Sequence, residues 1–237
     1  MIQMTVPEEA IKYILFQRTA YQLFPHTFAY RMLKKILPFS IYNRAVEREA
    51  RTDSSRIKAM YEDDMWKEYQ SLQRFLPHTC NSILDIGCGV AGIDVFLSKH
   101  YKDNQPIFYL LDKTDIEDKV FYDFKHRGAF YNSLDVAKAT LIANGVQEKN
   151  VNAIEAADNN DINIDSKIDL VISLISWGFH YPVATYLERV RELLNIGGSL
   201  IIDVRKDTGD IELLDNAFGK IDIIFDEKKF QRILATN

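Results

Sequence analysis

The segment Ile83-Leu-Asp-Ile-Gly-Cys-Gly-Val-Ala-Gly92 constrains the fold of this chain more than any other. An apolar run ends in Asp85, and Gly87, Gly89 and Gly92 then lead into a helical pattern that starts near Ile93. Glycines at these places let the backbone turn sharply and come close to a ligand at the carboxyl end of a strand. The glycine spacing alone is shared by nicotinamide and flavin sites, so it specifies a nucleotide-like ligand and no more.

From Ile83 onward, strand patterns alternate with helical ones, which is the signature of a mostly parallel sheet covered on both faces. The strands are expected at Ser82–Ile86, Ile107–Leu111, Asn152–Ala156, Leu170–Leu174 and Ser199–Val204, with helices at about 92–100, 133–144 and 182–195. Gly145 and Gly197–Gly198 stand where glycines would end the last two helices. Lys220–Asp226 and Gln231–Ala235 are expected to close the sheet with antiparallel strands.

Upstream, the chain reads as helical to about Pro77. Pro7, Glu8 and Glu9 suit a first turn, and Ile11, Ile14 and Leu15 follow it at helical spacing to a stop at Pro25. A second helix is expected at about 27–37. A third begins at Asp53 or Ser54 and carries the stripe Ile57, Met60, Tyr61, Met65, Tyr69, Leu72. The arginines at 44, 48, 51 and 56 read as a solvated helix face, or as contacts for an anion.

With 237 residues, 47% of them hydrophobic, the chain can bury a proper core. The net charge of −5 gives no global basic surplus for nucleic acid or an anionic membrane. Cys80 and Cys88 are too few for a disulfide framework and match no zinc spacing, which suggests a reducing, cytoplasmic setting. Charges within the N-terminal apolar pattern argue against a signal peptide or membrane span.

Two acids narrow the ligand. Asp85 lies two residues before the first glycine, where a carboxylate would repel a pyrophosphate but suits a cation. Leu110-Leu-Asp112 puts a second carboxylate about 20 residues past the glycines, within reach of ribose hydroxyls. On these residues the chain resembles the class I S-adenosylmethionine-dependent methyltransferases over roughly residues 80–205. Asp85, Gly87 and Gly89 match the D-x-G-x-G signature, and Asp112 the ribose-binding acid. Asp158 and Asn159 match the adenine-binding place, and Ile168–Ser173 the strand beside the methyl-transfer site. Leu193-Leu-Asn-Ile-Gly-Gly198 resembles a structural helix-to-strand link.

The resemblance implies an α/β, Rossmann-like, doubly wound, mostly parallel seven-stranded sheet. Residues 1–77 would form a helical cap or lid and residues 78–237 the S-adenosylmethionine domain. The cofactor set is Asp85, Gly87, Cys88, Gly89, Asp112, Lys113, Asp158, Asn159 and Ser173.

The acceptor side rests on local argument. Ser173-Leu-Ile-Ser-Trp-Gly-Phe-His-Tyr-Pro182 follows the fourth strand at the ligand-binding end of the sheet. Trp177 and Tyr181 are candidate substrate contacts, and His180 is the candidate general base. This segment departs from the Asn/Asp-Pro-Pro-Tyr motif of DNA amino-methylating enzymes, so a DNA substrate is not expected. The long connection 113–132 offers His126, Arg127 and Tyr131 for substrate binding. Asp112 and Asp115 lack the companions that a metal set needs, so no metal is expected. The expected activity is O-methylation of a small molecule, such as a sugar or glycan precursor, by a protein free to oligomerise. A protein or RNA methyltransferase, or a non-catalytic binding subunit, are the alternatives.

Overall fold

The computed structural model describes residues 3–24, 39–116 and 131–237. Among the described residues, α1 (Ala10–Gln17), α2 (Phe39–Thr52) and α3 (Ser54–Leu72) precede the sheet. Then come β1 (Ser82–Ile86), α4 (Gly92–His100), β2 (Ile107–Asp112), the short strands β3 (Asp115–Ile116) and β4 (Tyr131–Asn132), and α5 (Leu134–Ala143). The chain continues with β5 (Val151–Glu155), β6 (Ile168–Ser173), β7 (Ser176–Tyr181), α6 (Leu187–Leu193) and β8 (Leu194–Arg205). It closes with α7 (Asp210–Phe218), β9 (Ile221–Asp226) and β10 (Phe230–Thr236).

Seven strands form one sheet in the order β5-β2-β1-β6-β8-β10-β9. The first five of these are parallel. β10 runs antiparallel to both of its neighbours, so β9 points the same way as the parallel set. Of the two closing strands expected to be antiparallel, one is reversed.

Both faces of the sheet are covered, as the continuous apolar strands require. Ile83, Leu110, Leu170, Ile172 and Ile201 point into one core, whereas Leu84, Ile86, Leu111, Val171, Leu200 and Ile202 point into the other. The alternation within each strand is the pleat itself. Helices α6 and α7 cover the second core. The first is covered by α4 and α5 together with α1, α2 and α3. The N-terminal helices expected as a lid therefore share a hydrophobic core with the sheet, and packing runs without a break across residue 77.

Several local expectations shift. The first helix is confined to Ala10–Gln17 and gives way to a 3-10 turn at Thr19–Tyr21. The helix expected at 27–37 lies outside the described residues. α3 starts at Ser54, but Asp53 makes no side-chain cap; its carboxylate lies 3.9 Å from Arg56 instead. Gly145, at φ +94°, does follow α5. Gly197 does not end α6: β8 has already begun at Leu194, and the Gly197 amide donates to the Asn237 carbonyl at 2.8 Å. The extended segment β7 and helix α7 were not expected.

One buried ion network ties α3 to the sheet. Arg232 on β10 is fully buried and donates to both oxygens of Asp203 on β8, at 2.7 and 2.8 Å. It also reaches Glu68 at 2.7 Å and Ser71 at 2.5 Å, both on α3. Removing one partner of such a set leaves an uncompensated charge in a low-dielectric interior. Arg232→Ala is expected to lower unfolding free energy by roughly 3–5 kcal/mol in denaturant titrations. Adding Asp203→Ala is expected to cost much less than its own single-variant effect, because the orphaned charge is gone.

Candidate functional site

The carboxyl ends of β1, β2 and β6 open into a cavity of about 470 Å³. Its floor is the turn between β1 and α4. The amides of Gly87 and Cys88 donate to the Leu111 carbonyl at 2.7 and 3.4 Å, which hooks the turn onto the end of β2. Gly87 has φ +79°, and a Cβ there would lie 1.8 Å from the Ser176 hydroxyl. At Gly92 a Cβ would lie 2.2 Å from the Tyr61 hydroxyl. Both positions need glycine because another element rests directly on the backbone.

Asp112 anchors this floor. Its Oδ2 accepts from the Gly89 amide at 2.9 Å and from Asn132 Nδ2 at 3.0 Å, and its Oδ1 accepts from the Lys113 amide at 2.7 Å. Burial nonetheless pushes its pKa up to about 6, since these donors offset desolvation only in part.

Asp85 and Asp94 form a second buried group. Asp85 lines the cavity, while Asp94, on the first turn of α4, is fully enclosed. Beyond its own amide, the carboxyl of Asp94 meets no N–H or O–H donor among the described residues; opposite it stands the carboxyl of Asp85. Two such groups cannot both ionise without a cation. Burial first, and Asp94 second, raise Asp85 well above the carboxylate range, and burial raises Asp94 to about 6.

The opposite wall comes from the N-terminal helices. Phe16, Gln17 and Arg18 at the end of α1, with Tyr61, Met65 and Glu68 on α3, line the cavity. Arg18 pairs with Asp64 at 3.3 Å. Of the aromatic residues in the N-terminal segment, Phe16 lines the cavity, Tyr21 is buried beside Asp64, and Tyr13 and Phe24 pack against the core. Phe28 and Tyr30 lie outside the described residues.

The third wall is the turn from β6 into β7. Ile175 has φ +51°, an uncommon and costly conformation for a β-branched residue. Its amide is held by Asp203 Oδ2 at 3.2 Å, the same carboxylate that Arg232 grips. The turn places Ser176 over Gly87 and leads to His180 and Tyr181, which line the cavity with Tyr186. Burial, and then the charge of Arg205, lower the pKa of His180 below 6.5, so its imidazole is neutral at physiological pH. Tyr181 is shifted upward by burial and stays protonated.

The cavity thus gathers Asp85, Gly87, Cys88, Gly89, Asp112, Lys113, Asp158, His180 and Tyr181. It does not gather all of the expected residues. Ser173 is fully buried beneath it, donating to the Ile86 carbonyl and accepting from the Trp177 amide. Trp177 is fully buried as well, its indole N–H donating to the Val183 carbonyl at 2.9 Å, so its ring serves the second core. Asn159 is exposed and accepts from the Asp161 amide, while Asn160, at φ +59°, takes the place on the lining. His126 and Arg127 lie outside the described residues, and Tyr131 is described only as part of β4. Asn132, Ser176, Tyr186, Gln17 and Arg18 are lining residues that the sequence did not single out. No group of three His, Cys, Asp or Glu among the described residues could hold a metal. No described helix is long and apolar enough to cross a membrane.

Comparison with known proteins places the fold. No family model matches the sequence, and no curated protein matches it. Solved structures do. A supposed O-methyltransferase from Nostoc punctiforme superposes with a TM-score of 0.56 at 14% identity, covering 96% of this chain and 72% of that one. A methyltransferase from Pyrococcus furiosus gives 0.50 at 16% identity, covering 73% and 81%. The chain therefore has the Rossmann-like fold of the class I methyltransferases. The superposition on the Nostoc protein covers 96% of this chain, so it takes in this chain's N-terminal helices as well as its sheet.

The acid pair has a thermodynamic consequence. A carboxyl whose pKa rises on folding ionises first in the unfolded chain. Its destabilisation is absent below the ordinary value of 3.8, grows up to about 6 and is complete above that. Asp94→Asn, which gives Asp85 a donor, is expected to stabilise the ligand-free protein at pH 8 by roughly 1–3 kcal/mol. That gain should fade toward pH 4, as thermal melts across the range would record.

Proposed function

We propose that the chain is an S-adenosylmethionine-dependent methyltransferase that methylates an oxygen of a small molecule, a sugar or glycan-precursor hydroxyl being the acceptor. One observation supports this reading: carboxyl groups crowd the glycine-turn end of the cavity, and the cations on its lining are already paired with other acids. Asp85 and the side-chain oxygen of Asn132 are buried, Asp94 is enclosed behind Asp85, and the half-buried Asp112 lines the floor. The two lining cations, Arg18 and Lys113, are paired with Asp64 and Asp158. Buried acceptors without donors are costly, so the site fits a ligand that brings donors and positive charge. S-adenosylmethionine brings an ammonium group, a sulfonium, two ribose hydroxyls and an adenine amine. A dinucleotide would bring a pyrophosphate to the same acids.

The parts assigned to the chain follow from this fit. Asp85 faces the cationic methionine end, Asp112 takes the ribose and Asp158 the adenine amine. When bound, the cofactor supplies an electrophilic methyl on sulfur. Phe16, Tyr61 and Met65 line the wall opposite the glycine turn, where apolar surface against the bound ligand would help to align and desolvate the reacting atoms. His180, neutral near pH 7, accepts the proton of the acceptor hydroxyl as its oxygen attacks. Tyr181 and Tyr186 offer flat faces to an acceptor ring.

Two measurements check these assignments. Transfer of labelled methyl from S-adenosylmethionine to a panel of nucleotide sugars is expected to give a labelled small molecule. Label appearing in protein or RNA instead would replace the acceptor class. With an active acceptor, the wild-type kcat/KM is expected to rise with pH and level off with a midpoint below 6.5. His180→Asn should then lose about 10²–10⁴ in kcat and that inflection with it. A fully active variant would remove His180 from the chemistry.

A further inference from the structure

The turn from β6 into β7 is held at two points by one residue of β8 that lies outside the cofactor motifs. Asp203 is fully buried, and its Oδ2 accepts from the Ile175 amide at 3.2 Å. Its backbone carbonyl backs onto Gly178, where an added Cβ would lie 2.9 Å from the oxygen. Ile175 needs such a hold, because a β-branched side chain resists a φ of +51°. Just past these two anchors the chain presents His180 and Tyr181 to the cavity, and between them Ser176.

Arg232 keeps both oxygens of Asp203 available as acceptors. An enclosed carboxyl favours its neutral form, whose proton would need an acceptor of its own. Arg232 opposes this by donating to Oδ1 and Oδ2 at 2.7 and 2.8 Å. The same guanidinium reaches Glu68 at 2.7 Å, and Glu68 lines the cavity from the α3 side.

We propose that Asp203 is a positioning residue for methyl transfer: through the Ile175 amide it fixes the left-handed turn that brings His180 to the cavity, and Arg232 locks that turn to the α3 wall. The inference rests on the reading of His180 as the base and names what puts the base in place. The spacing of the two walls is thereby set by directed hydrogen bonds to one buried cation, which suits a reaction that depends on alignment. A network that only stabilised the fold would act on melting alone. A positioning network acts through the backbone of Ile175, so its loss can be repaired there.

The test reads His180 directly, by NMR titration of the imidazoles in the full chain, with its signal assigned from its absence in His180→Asn. The wild-type midpoint is expected below 6.5, as burial and then the charge of Arg205 require. In Asp203→Ala the turn is released, water reaches the ring, and the midpoint should rise toward 6.5. Adding Ile175→Gly, which takes a φ of +51° without strain, should bring the midpoint back toward the wild-type value while the melting temperature stays low. Glu68→Gln weakens the network without touching Ile175, so it should lower the melting temperature and leave the midpoint in place. An unchanged midpoint in Asp203→Ala would overturn the proposal. So would a rise that Ile175→Gly fails to reverse, because Asp203 would then act through packing alone. If Asp203→Ala does not fold, the double variant Asp203→Ala/Arg232→Met removes the orphaned charge and takes its place. The titration uses neither cofactor nor acceptor. A fully active His180→Asn would therefore remove the base, while the placement of the ring is still judged by the midpoint.

Discussion

Asp112 is the residue on which the site depends. A single half-buried carboxylate at the end of β2 holds the glycine turn through Gly89, the following backbone through Lys113, and strand β4 through Asn132. Three donors, two of them from distant parts of the chain, thus converge on one carboxylate at the cavity floor. Burial raises its pKa, and the donors it gathers limit that rise. Remove the charge and the turn, the ladder and the cavity floor lose their common anchor.

The rest of the cavity follows the same logic, in which local cost is accepted at the ligand end and offset by rigid structure elsewhere. Asp85 and Asp94 oppose each other beside the glycine turn. Ile175 sits in a left-handed conformation that a β-branched residue resists. The device that holds this turn is distant in sequence. Arg232 grips Asp203, Asp203 in turn holds the Ile175 amide, and Glu68 and Ser71 carry the network to α3. The same network seats α3, and with it Tyr61 and Met65, over the cavity. The N-terminal helices act as a wall because they are fixed into the first core.

How much of this was legible in the sequence depended on range. β1 and α4 fall where the run Ser82–Ile86 and the glycines put them, because a buried strand followed by a tight turn leaves a dense local signal. The acids Asp85 and Asp112 were visible for the same reason, at the ends of their strands, whereas Asp158 stands in the turn three residues past β5. β7 was not visible: Ser176–Tyr181 looks like an aromatic loop, and it is extended because it packs beside β8 and turns its own Trp177 into the second core. Trp177 was misplaced on the same account, since its buried hydrogen bond to Val183 is a tertiary fact. Asn132 carried no local signal at all, because its role depends on a carboxylate twenty positions away and on a two-residue ladder. The union of the N-terminal helices with the sheet core is likewise a matter of packing that periodicity cannot report.

The central claim is that the acceptor-rich cavity is a site for S-adenosylmethionine. Isothermal titration of the full chain with S-adenosylmethionine, repeated on Asp112→Ala, tests it most directly. The account predicts saturable one-site binding by the wild type and a loss of at least about 10-fold in affinity in the variant. No measurable heat with the wild type, or equal affinity in the two proteins, would contradict it.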